Sequence, residues 1–86
     1  MKVEVRATGL KAMREKRGLT QRELAHNLGI SQNYIPAIEA NRRQAGPKLQ
    51  QQMVKYFSCE FADLFEVVLV GLTSGREQVL QPKGSH

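Results

Sequence analysis

Residues 18–39, GLTQRELAHNLGISQNYIPAIE, decide the fold of this chain, because they hold two helix signals separated by a very short turn. Thr20 and Glu23 have the spacing of a capping box, in which a hydroxyl and a carboxylate each accept a hydrogen bond from an otherwise unpaired backbone N–H. The apolar positions that follow predict a helix to about Leu28. Gly29 predicts its end, since glycine takes the left-handed backbone conformation of a helix terminus at no steric cost.

The next helix signal comes only two residues later, at Ser31, whose hydroxyl is suited to cap a helix start. A connection that short forces the two helices to cross at a steep angle. The crossing requires a small residue at the contact, which Ala25 supplies, and apolar residues to fill the angle, which Ile35 and Ile38 supply. The pattern therefore predicts a helix-turn-helix, a unit whose second helix can enter the major groove of DNA.

Three more helices are predicted around this pair, within residues 8–65. Thr8 is expected to cap the first helix and Gly18 to end it, while Asn41 is expected to end the third, since asparagine tolerates the left-handed conformation. Pro47 begins the fourth helix, because proline is well suited to the first helical position. The fifth helix is short and carries three apolar residues, Phe61, Leu64 and Phe65.

Both ends of the chain have the pattern of β-strands. Valines alternate with charged residues in residues 1–7, which is the period of a half-buried strand. Residues 66–82 contain two further runs separated by a loop with glycine at both ends, which predicts a hairpin. Because a lone hairpin is marginally stable in water, we expect the N-terminal strand to pair with it, within one subunit or between two. Residues 83–86 resemble linker or tag residues and are expected to be disordered.

The charge of the chain is unevenly distributed. The 86 residues carry a formal net charge of +5, of which residues 1–57 hold +7 and residues 58–86 hold −2. A basic body favours a polyanionic partner such as nucleic acid. The sequence has no run of 18 apolar residues, and it has charges where a signal peptide needs an apolar core. We therefore expect a cytoplasmic protein without membrane contact.

The composition also argues against catalysis. A chain this short buries only a small core, which leaves little room for a substrate cavity. The single cysteine, Cys59, excludes an internal disulfide and a zinc ribbon. His26 and Cys59 do not have the spacing of metal ligands, and no nucleophile has a positioned base near it. We therefore expect that the protein is not an enzyme and has neither a cofactor nor a metal site.

Residues 10–65 resemble the XRE-type regulators, the phage repressor/Cro class of helix-turn-helix domain. The resemblance rests on a combination of motifs: GLTQ at 18–21, ELA at 23–25, LGISQ at 28–32, and then Ile35, Ile38 and Glu39. It implies a mainly α, five-helix, lambda-repressor-like domain, to which the N-terminal strand and the C-terminal hairpin add a small antiparallel β element. It also implies binding to double-stranded DNA.

The resemblance carries roles to matching positions of this chain. Base reading falls to the start of helix three, where Gln32 and Asn33 can each bond an adenine in a bidentate manner. Tyr34 and Ala37 lie near that face and can touch a thymine methyl or a phosphate. Phosphate binding falls to five residues: Gln21, Arg22, Arg42, Arg43 and Lys48. The alternative for Gln32 and Asn33 is that they are ordinary solvated residues near a helix cap.

Two further positions matter for how helix three is held. In the family, the residues matching Arg14 and Glu39 form a partly buried ion pair that ties helix one to helix three; the alternative places Arg14 on a phosphate. Pro36 departs from the family pattern, because a proline inside helix three removes one backbone N–H and crowds the carbonyl of Gln32. We therefore predict a kinked or tightened first turn.

The strands, the fifth helix or both are expected to mediate contact with a second copy of the chain. Four consecutive apolar residues predict burial on both faces of a strand and contact with a second copy of the chain: Val67, Val68, Leu69 and Val70. A homodimer fits DNA reading, because two recognition helices about 34 Å apart read a palindrome. The alternative is a self-contained sheet on a monomer.

The function expected from these features is that of a dimeric repressor, which reads a palindromic operator in double-stranded DNA. The alternative is an antitoxin or adaptor. Such a protein would bind a cognate protein through its strands and would use DNA binding to regulate its own expression.

Overall fold

Five helices form the body of the molecule, and a small antiparallel sheet joins the N-terminal segment to the segment that follows the helices. The computed structural model of the chain describes residues 2–71 and 77–79. The elements in chain order are β1 (Lys2–Arg6), α1 (Leu10–Lys16), α2 (Gln21–Leu28), α3 (Tyr34–Glu39), α4 (Pro47–Phe57), α5 (Phe61–Leu64), β2 (Glu66–Val70) and β3 (Glu77–Val79). The predicted mainly α fold with a small β element is confirmed. The predicted hairpin turn and the predicted tail at 83–86 lie outside the described residues.

The core lies where the apolar faces of the helices meet. The side chains of Leu24, Ile35 and Phe57, from three different helices, are completely buried, and Ala25 is 1 % exposed. Burial of one large apolar side chain contributes about 1.5–3 kcal/mol, so this cluster is the main source of stability. Its members are Ala7, Leu10, Leu24, Ala25, Leu28, Ile35, Ile38, Ala45, Met53, Phe57, Leu64 and Phe65.

Helix α2 has the boundaries that its capping residues predict. The Thr20 hydroxyl accepts from the Glu23 N–H at 3.0 Å, and the Glu23 carboxylate accepts from the Thr20 N–H at 2.8 Å. At the other end, Gly29 has φ +71°, and the next N–H, that of Ile30, bonds back to the Ala25 carbonyl at 3.0 Å. The predicted capping box and the predicted stop are both confirmed.

Helix α3 begins later than predicted. Its first helical residue is Tyr34 and its N-cap is Asn33, so Ser31 is not the cap. The Tyr34 N–H instead bonds to the Ser31 carbonyl three residues back, at 3.0 Å, which is the predicted tightened turn. Pro36 explains the delay, because it has no N–H with which to extend the helix backwards. In the observed helix Pro36 is the third residue, where an N–H would have no intrahelical partner.

Helix α1 also lacks its predicted cap. The helix begins at Leu10 with Gly9 as N-cap, and no side chain caps it, so the prediction for Thr8 is wrong. Backbone contact with α5 holds this helix start in place: the Gly9 N–H donates to the Leu64 carbonyl at 3.0 Å. A Cβ at this position would overlap the carbonyl oxygen of Asp63, so only glycine permits the approach.

The three strands form one sheet in the order β1-β2-β3, and both pairings are antiparallel. β1 pairs with β2 of the same chain, in a register that runs from Lys2↔Val70 to Arg6↔Glu66. Alternation therefore places Val3, Val5, Val67 and Leu69 on one face of the sheet. Val5 packs against the core, whereas Val3 is 57 % exposed. One end of this apolar face is thus left open to solvent.

Among the described residues, no helix has the length and apolar character needed to cross a membrane. The longest helix, α4, has 11 residues.

Replacement of Glu23 by glutamine is expected to flatten the acid dependence of stability. The backbone N–H of Thr20, and then its hydroxyl, hold the pKa of the Glu23 carboxyl below its ordinary value. A carboxyl with a lowered pKa in the folded chain stabilises the fold above its unfolded pKa, and this contribution is lost as the pH falls through the folded pKa. Urea unfolding from about pH 5 to about pH 3, around the ordinary pKa of glutamate, measures the difference.

Glu15→Gln is the matched control for this measurement, because Glu15 is exposed on α1 and caps no helix. If acid lowered the unfolding free energy of wild type and Glu23→Gln equally steeply, the capping box would not be the source of the pH dependence.

Candidate nucleic-acid interface

A buried ion pair ties α3 to the rest of the helical body. Arg14, on α1, is only 8 % exposed, and its Nε lies 2.7 Å from Oε2 of Glu39 at the end of α3. A second guanidinium nitrogen of Arg14 donates to the other carboxylate oxygen of Glu39 at 3.3 Å, and a third donates to the Leu19 carbonyl at 2.7 Å. The Glu39 carboxylate raises the pKa of Arg14, so the guanidinium remains charged although it is buried. The structure therefore brings together the two residues expected to pair.

Gln21, at the start of α2, joins the same network. Its side-chain nitrogen donates to Oε1 of Glu39 at 2.9 Å. No sequence pattern signals this contact, because the partners are 18 positions apart on different helices. An amide nitrogen carries two hydrogens, so the phosphate contact expected of Gln21 would use the second one. The network consequently connects α1, α2 and α3.

The residues expected to read bases fall into two groups. Gln32 and Asn33 are exposed, and they lie in the tightened turn that precedes α3 instead of in its first helical turn. Tyr34 and Ala37 lie on α3 itself and are half-buried. Two of the four are thus exposed polar residues in the turn before the helix, and the other two are half-buried on the helix itself.

Tyr34 contacts Arg43, one of the residues expected to bind phosphate. The Arg43 guanidinium carbon lies 4.4 Å from the centre of the Tyr34 ring, and Nη2 of Arg43 donates to the tyrosine hydroxyl at 3.0 Å. A cation stacked on an exposed aromatic ring gains about 0.5–1 kcal/mol. The ring and the hydroxyl therefore restrict the guanidinium to one side of α3.

The loop that follows α3 folds back onto the helix. The N–H groups of Arg42 and Arg43 both bond to the Ala37 carbonyl, at 2.9 and 3.3 Å. Asn41 permits this reversal, since it has φ +60° at the predicted helix stop. Both arginines are exposed, so the loop holds two cations beside the end of α3.

The remaining residues expected to bind phosphate lie on two other helices. Lys48, in the first turn of α4, is exposed and lines a groove of about 340 Å³ together with Tyr34 and Arg43. Arg22 is exposed on α2 and does not line that groove. The structure thus brings Arg43 and Lys48 to one groove and leaves Arg22 apart.

The strand residues expected to form a dimer contact are not equivalent. Val68 is only 1 % exposed, so within this chain it presents almost no surface to a second copy. Val67, Leu69 and Val70 are half-buried. Val3, which the sequence pattern did not single out as a contact residue, is the most exposed large apolar side chain among the described residues.

Other chemistry has little support in the part of the chain that the structure describes. Residues 2–71 and 77–79 contain no group of three or more His, Cys, Asp or Glu side chains placed to hold a metal ion. His26 is exposed on α2. Burial raises the pKa of the half-buried Cys59 thiol, which is the opposite of what an activated nucleophile requires.

Comparison with known proteins agrees with this arrangement. The model of a family described as "Helix-turn-helix" matches residues 10–64, more than half of the chain. An uncharacterized HTH-type transcriptional regulator of Methanocaldococcus jannaschii is 38 % identical over 56 residues, which are 65 % of this chain and 85 % of the relative. The crystal structure of the transcriptional regulator VanUg superposes with a TM-score of 0.64 and 18 % identity, and the match covers 78 % of this chain and 88 % of that one. The last comparison shows a shared fold.

Glu39→Ala is expected to lower the free energy of unfolding by about 3–5 kcal/mol, because it leaves the buried Arg14 guanidinium without its carboxylate. The double variant Arg14→Met with Glu39→Met is expected to lose less, since no unpaired buried charge remains. Urea unfolding followed by circular dichroism measures both. If the double variant lost as much stability as Arg14→Met and Glu39→Met lose in total when each is measured alone, the two charges would not be coupled.

Proposed function

The chain belongs to the XRE-type family of helix-turn-helix transcription regulators, and on that basis we propose that it is a sequence-specific reader of double-stranded DNA. We further propose that it acts as a dimeric repressor on a palindromic operator. The observation that carries the proposal is that two exposed amide side chains, Gln32 and Asn33, lie in the turn that leads into α3, while two exposed arginines lie in the loop that follows it.

Base reading is assigned to the turn before α3. Gln32 and Asn33 carry both a donor and an acceptor, which is the combination that pairs with N7 and N6 of adenine in the major groove. Each good pair discriminates against the wrong base by about 1–3 kcal/mol. Tyr34 makes a different contribution, because its ring and hydroxyl contact Arg43. We assign Tyr34 to positioning that arginine. We assign Ala37 to contact with the edge of the major groove of the DNA.

Phosphate binding is assigned to groups that flank this turn on both sides. Arg42, Arg43 and Lys48 lie after α3, and Gln21 and Arg22 lie in the first turn of α2. The N-terminus of α2 also lies at the positive end of the helix dipole, which favours an anion. Arg43 loses less conformational entropy on binding phosphate than a free arginine would, because Tyr34 already restricts its guanidinium.

A dimer would use the open apolar face of the sheet. Val3, Val67 and Leu69 share that face, and Val3 is 57 % exposed. The outer edge of β1 is less suited to pair with a second copy, because the Val5 N–H already donates to Oε1 of Gln44 at 2.8 Å. Two copies joined through this face would carry two recognition helices, which is the requirement for reading a palindrome.

The same apolar face supports the second candidate function, that of an antitoxin or adaptor. In that case the face around Val3 would receive a cognate protein, and DNA binding would serve autoregulation. The solution mass of the purified chain separates the two functions, because a homodimer covers the face without any partner.

Gln32→Ala and Arg43→Ala are expected to have different effects on DNA binding. The first should relax the preference at one base position and cost about 1–3 kcal/mol on the preferred site. The second should weaken binding to all sequences alike and lower the slope of log affinity against log salt by about one. Selection of sites from random duplex DNA, followed by titration at several salt concentrations, measures both effects.

Gln51→Ala is the matched control. Gln51 is exposed on α4, does not line the groove that holds Arg43 and Lys48, and is not part of the turn before α3. Uniform loss of affinity in both test variants would contradict the assignment of base reading to Gln32. Failure of wild type to enrich any sequence would contradict the proposed function itself.

Val3→Glu is expected to yield monomers, because it places a charge on the open apolar face while β1 stays paired with β2. Val3→Thr is the control, since it retains a β-branched side chain without a charge. Sedimentation equilibrium gives the mass, and urea unfolding shows whether each variant remains folded. A folded Val3→Glu chain with the mass of wild type would exclude this face as the dimer contact.

A further inference from the structure

A cleft of about 270 Å³ lies between the N-terminal strand and the loop after the recognition helix. Among the described residues that line it, four are cations, two from β1 and two from the loop, and one is a carboxylate. The lining residues are Lys2, Glu4, Arg6, Asn41, Arg42, Arg43 and Gln44. With four cations and one carboxylate, these described side chains carry a formal net charge of +3.

The sheet alternation explains why β1 presents charge to this cleft. Lys2, Glu4 and Arg6 are two positions apart and so share one face of the strand. Glu4 and Arg6 pair with each other at 3.1 Å, and both side chains are about one-quarter exposed. Lys2 is exposed at the end of the row. The positive charge of Arg6 thus partly offsets the negative charge of Glu4 within the strand.

Gln44 holds the two walls of the cleft together. Its Oε1 accepts a hydrogen bond from the backbone N–H of Val5 at 2.8 Å, across 39 positions of sequence. Because β1 is also paired with β2, the loop that carries Arg42 and Arg43 is anchored to a sheet as well as to α3. The cations of β1 consequently keep a fixed place beside those of the loop.

We infer that this cleft is a second site for DNA backbone phosphate, in which β1 extends the contact made by the helix-turn-helix. The inference rests on the proposed function. Arg42 and Lys2 line the same cleft, so a DNA backbone held there by Arg42 runs close to the Lys2 ammonium. The guanidinium groups present a planar fork that suits phosphate oxygens, and Lys2 adds a point charge. Base identity plays no part, because nothing in the cleft needs to reach a base edge.

The test uses two substitutions of opposite expected sign on the same strand. Lys2→Gln removes a cation and should lower the slope of log affinity against log salt by about 0.9, the value for one phosphate contact. Glu4→Gln removes the one carboxylate among the described residues that line the cleft and should tighten binding, because that charge repels phosphate. Neither change should alter the sequence preference. Titration of a mixed-sequence duplex over about 50–200 mM salt measures both.

Lys55→Gln is the matched control. Lys55 is exposed on α4, seven positions beyond Lys48 and so about 10 Å further along the helix axis, and it does not line the cleft. Its replacement should leave the salt slope at the wild-type value. Urea unfolding of each variant checks that β1 remains in place.

The outcomes separate a phosphate site from a strand that only supports the fold. If Glu4→Gln and Lys2→Gln both weaken binding with an unchanged salt slope, β1 has a structural role and the inference is wrong. The inference is also wrong if wild type binds DNA with a steep dependence of log affinity on log salt and Lys2→Gln has the same slope. That result would leave the proposed function intact. A wild-type chain that binds no duplex would overturn the proposed function and the inference together.

Discussion

The position of the recognition helix depends on the buried pair of Arg14 and Glu39. Each side chain is less than one-tenth exposed, so each charge requires the other. Glu39 is the last residue of α3, and its carboxylate also accepts from Gln21 at the start of α2. A carboxylate that binds two other helices at once cannot shift without leaving a charge unpaired in the interior. The angle between α2 and α3 is therefore held by electrostatics as well as by the apolar contacts of Ala25, Ile35 and Ile38.

The opposite end of α3 is controlled by backbone chemistry. Pro36 cannot donate to a preceding carbonyl, so the chain forms a tightened turn before the helix, and the exposed Gln32 and Asn33 lie in that turn. Helix α3 has only 6 residues. Its exposed amide side chains lie in the turn before its N-terminus, and Glu39, which forms the ion pair, is its last residue. The loop after α3 is then tied by Gln44 to a strand from the beginning of the chain. The tightened turn, the ion pair of Glu39 and the hydrogen bond of Gln44 together fix how Gln32 and Asn33, α3 and the loop with Arg42 and Arg43 lie relative to one another.

Much of this arrangement was predictable because it depends on residues close together in sequence. The capping box of Thr20 and Glu23, the left-handed Gly29 and the proline at the start of α4 each act within one helical turn, so local rules identify them. The resemblance to a known family supplied the pairing of Arg14 with Glu39, which no local rule contains. The start of α3 was misplaced because Ser31 is a good cap by type, yet Pro36 prevents the helix from reaching it. Contacts between distant backbone and side chains, such as that of Gln44 with Val5, leave no pattern in the sequence.

The two paired strands β1 and β2 are far apart in sequence, and this separation matters while the chain is being synthesised. β1 is synthesised before the helices, and its partner β2 follows about sixty residues later, whereas α2 meets α3 and α4 meets α5 as direct neighbours along the chain. Contacts between distant segments form slowly, so the helical body assembles while β1 is still without its partner strand. During that interval, a strand made of apolar residues alone would tend to pair edge-to-edge with other nascent chains. The charged residues that alternate with the valines of β1 act against such pairing, and they thereby protect the unfinished molecule from aggregation.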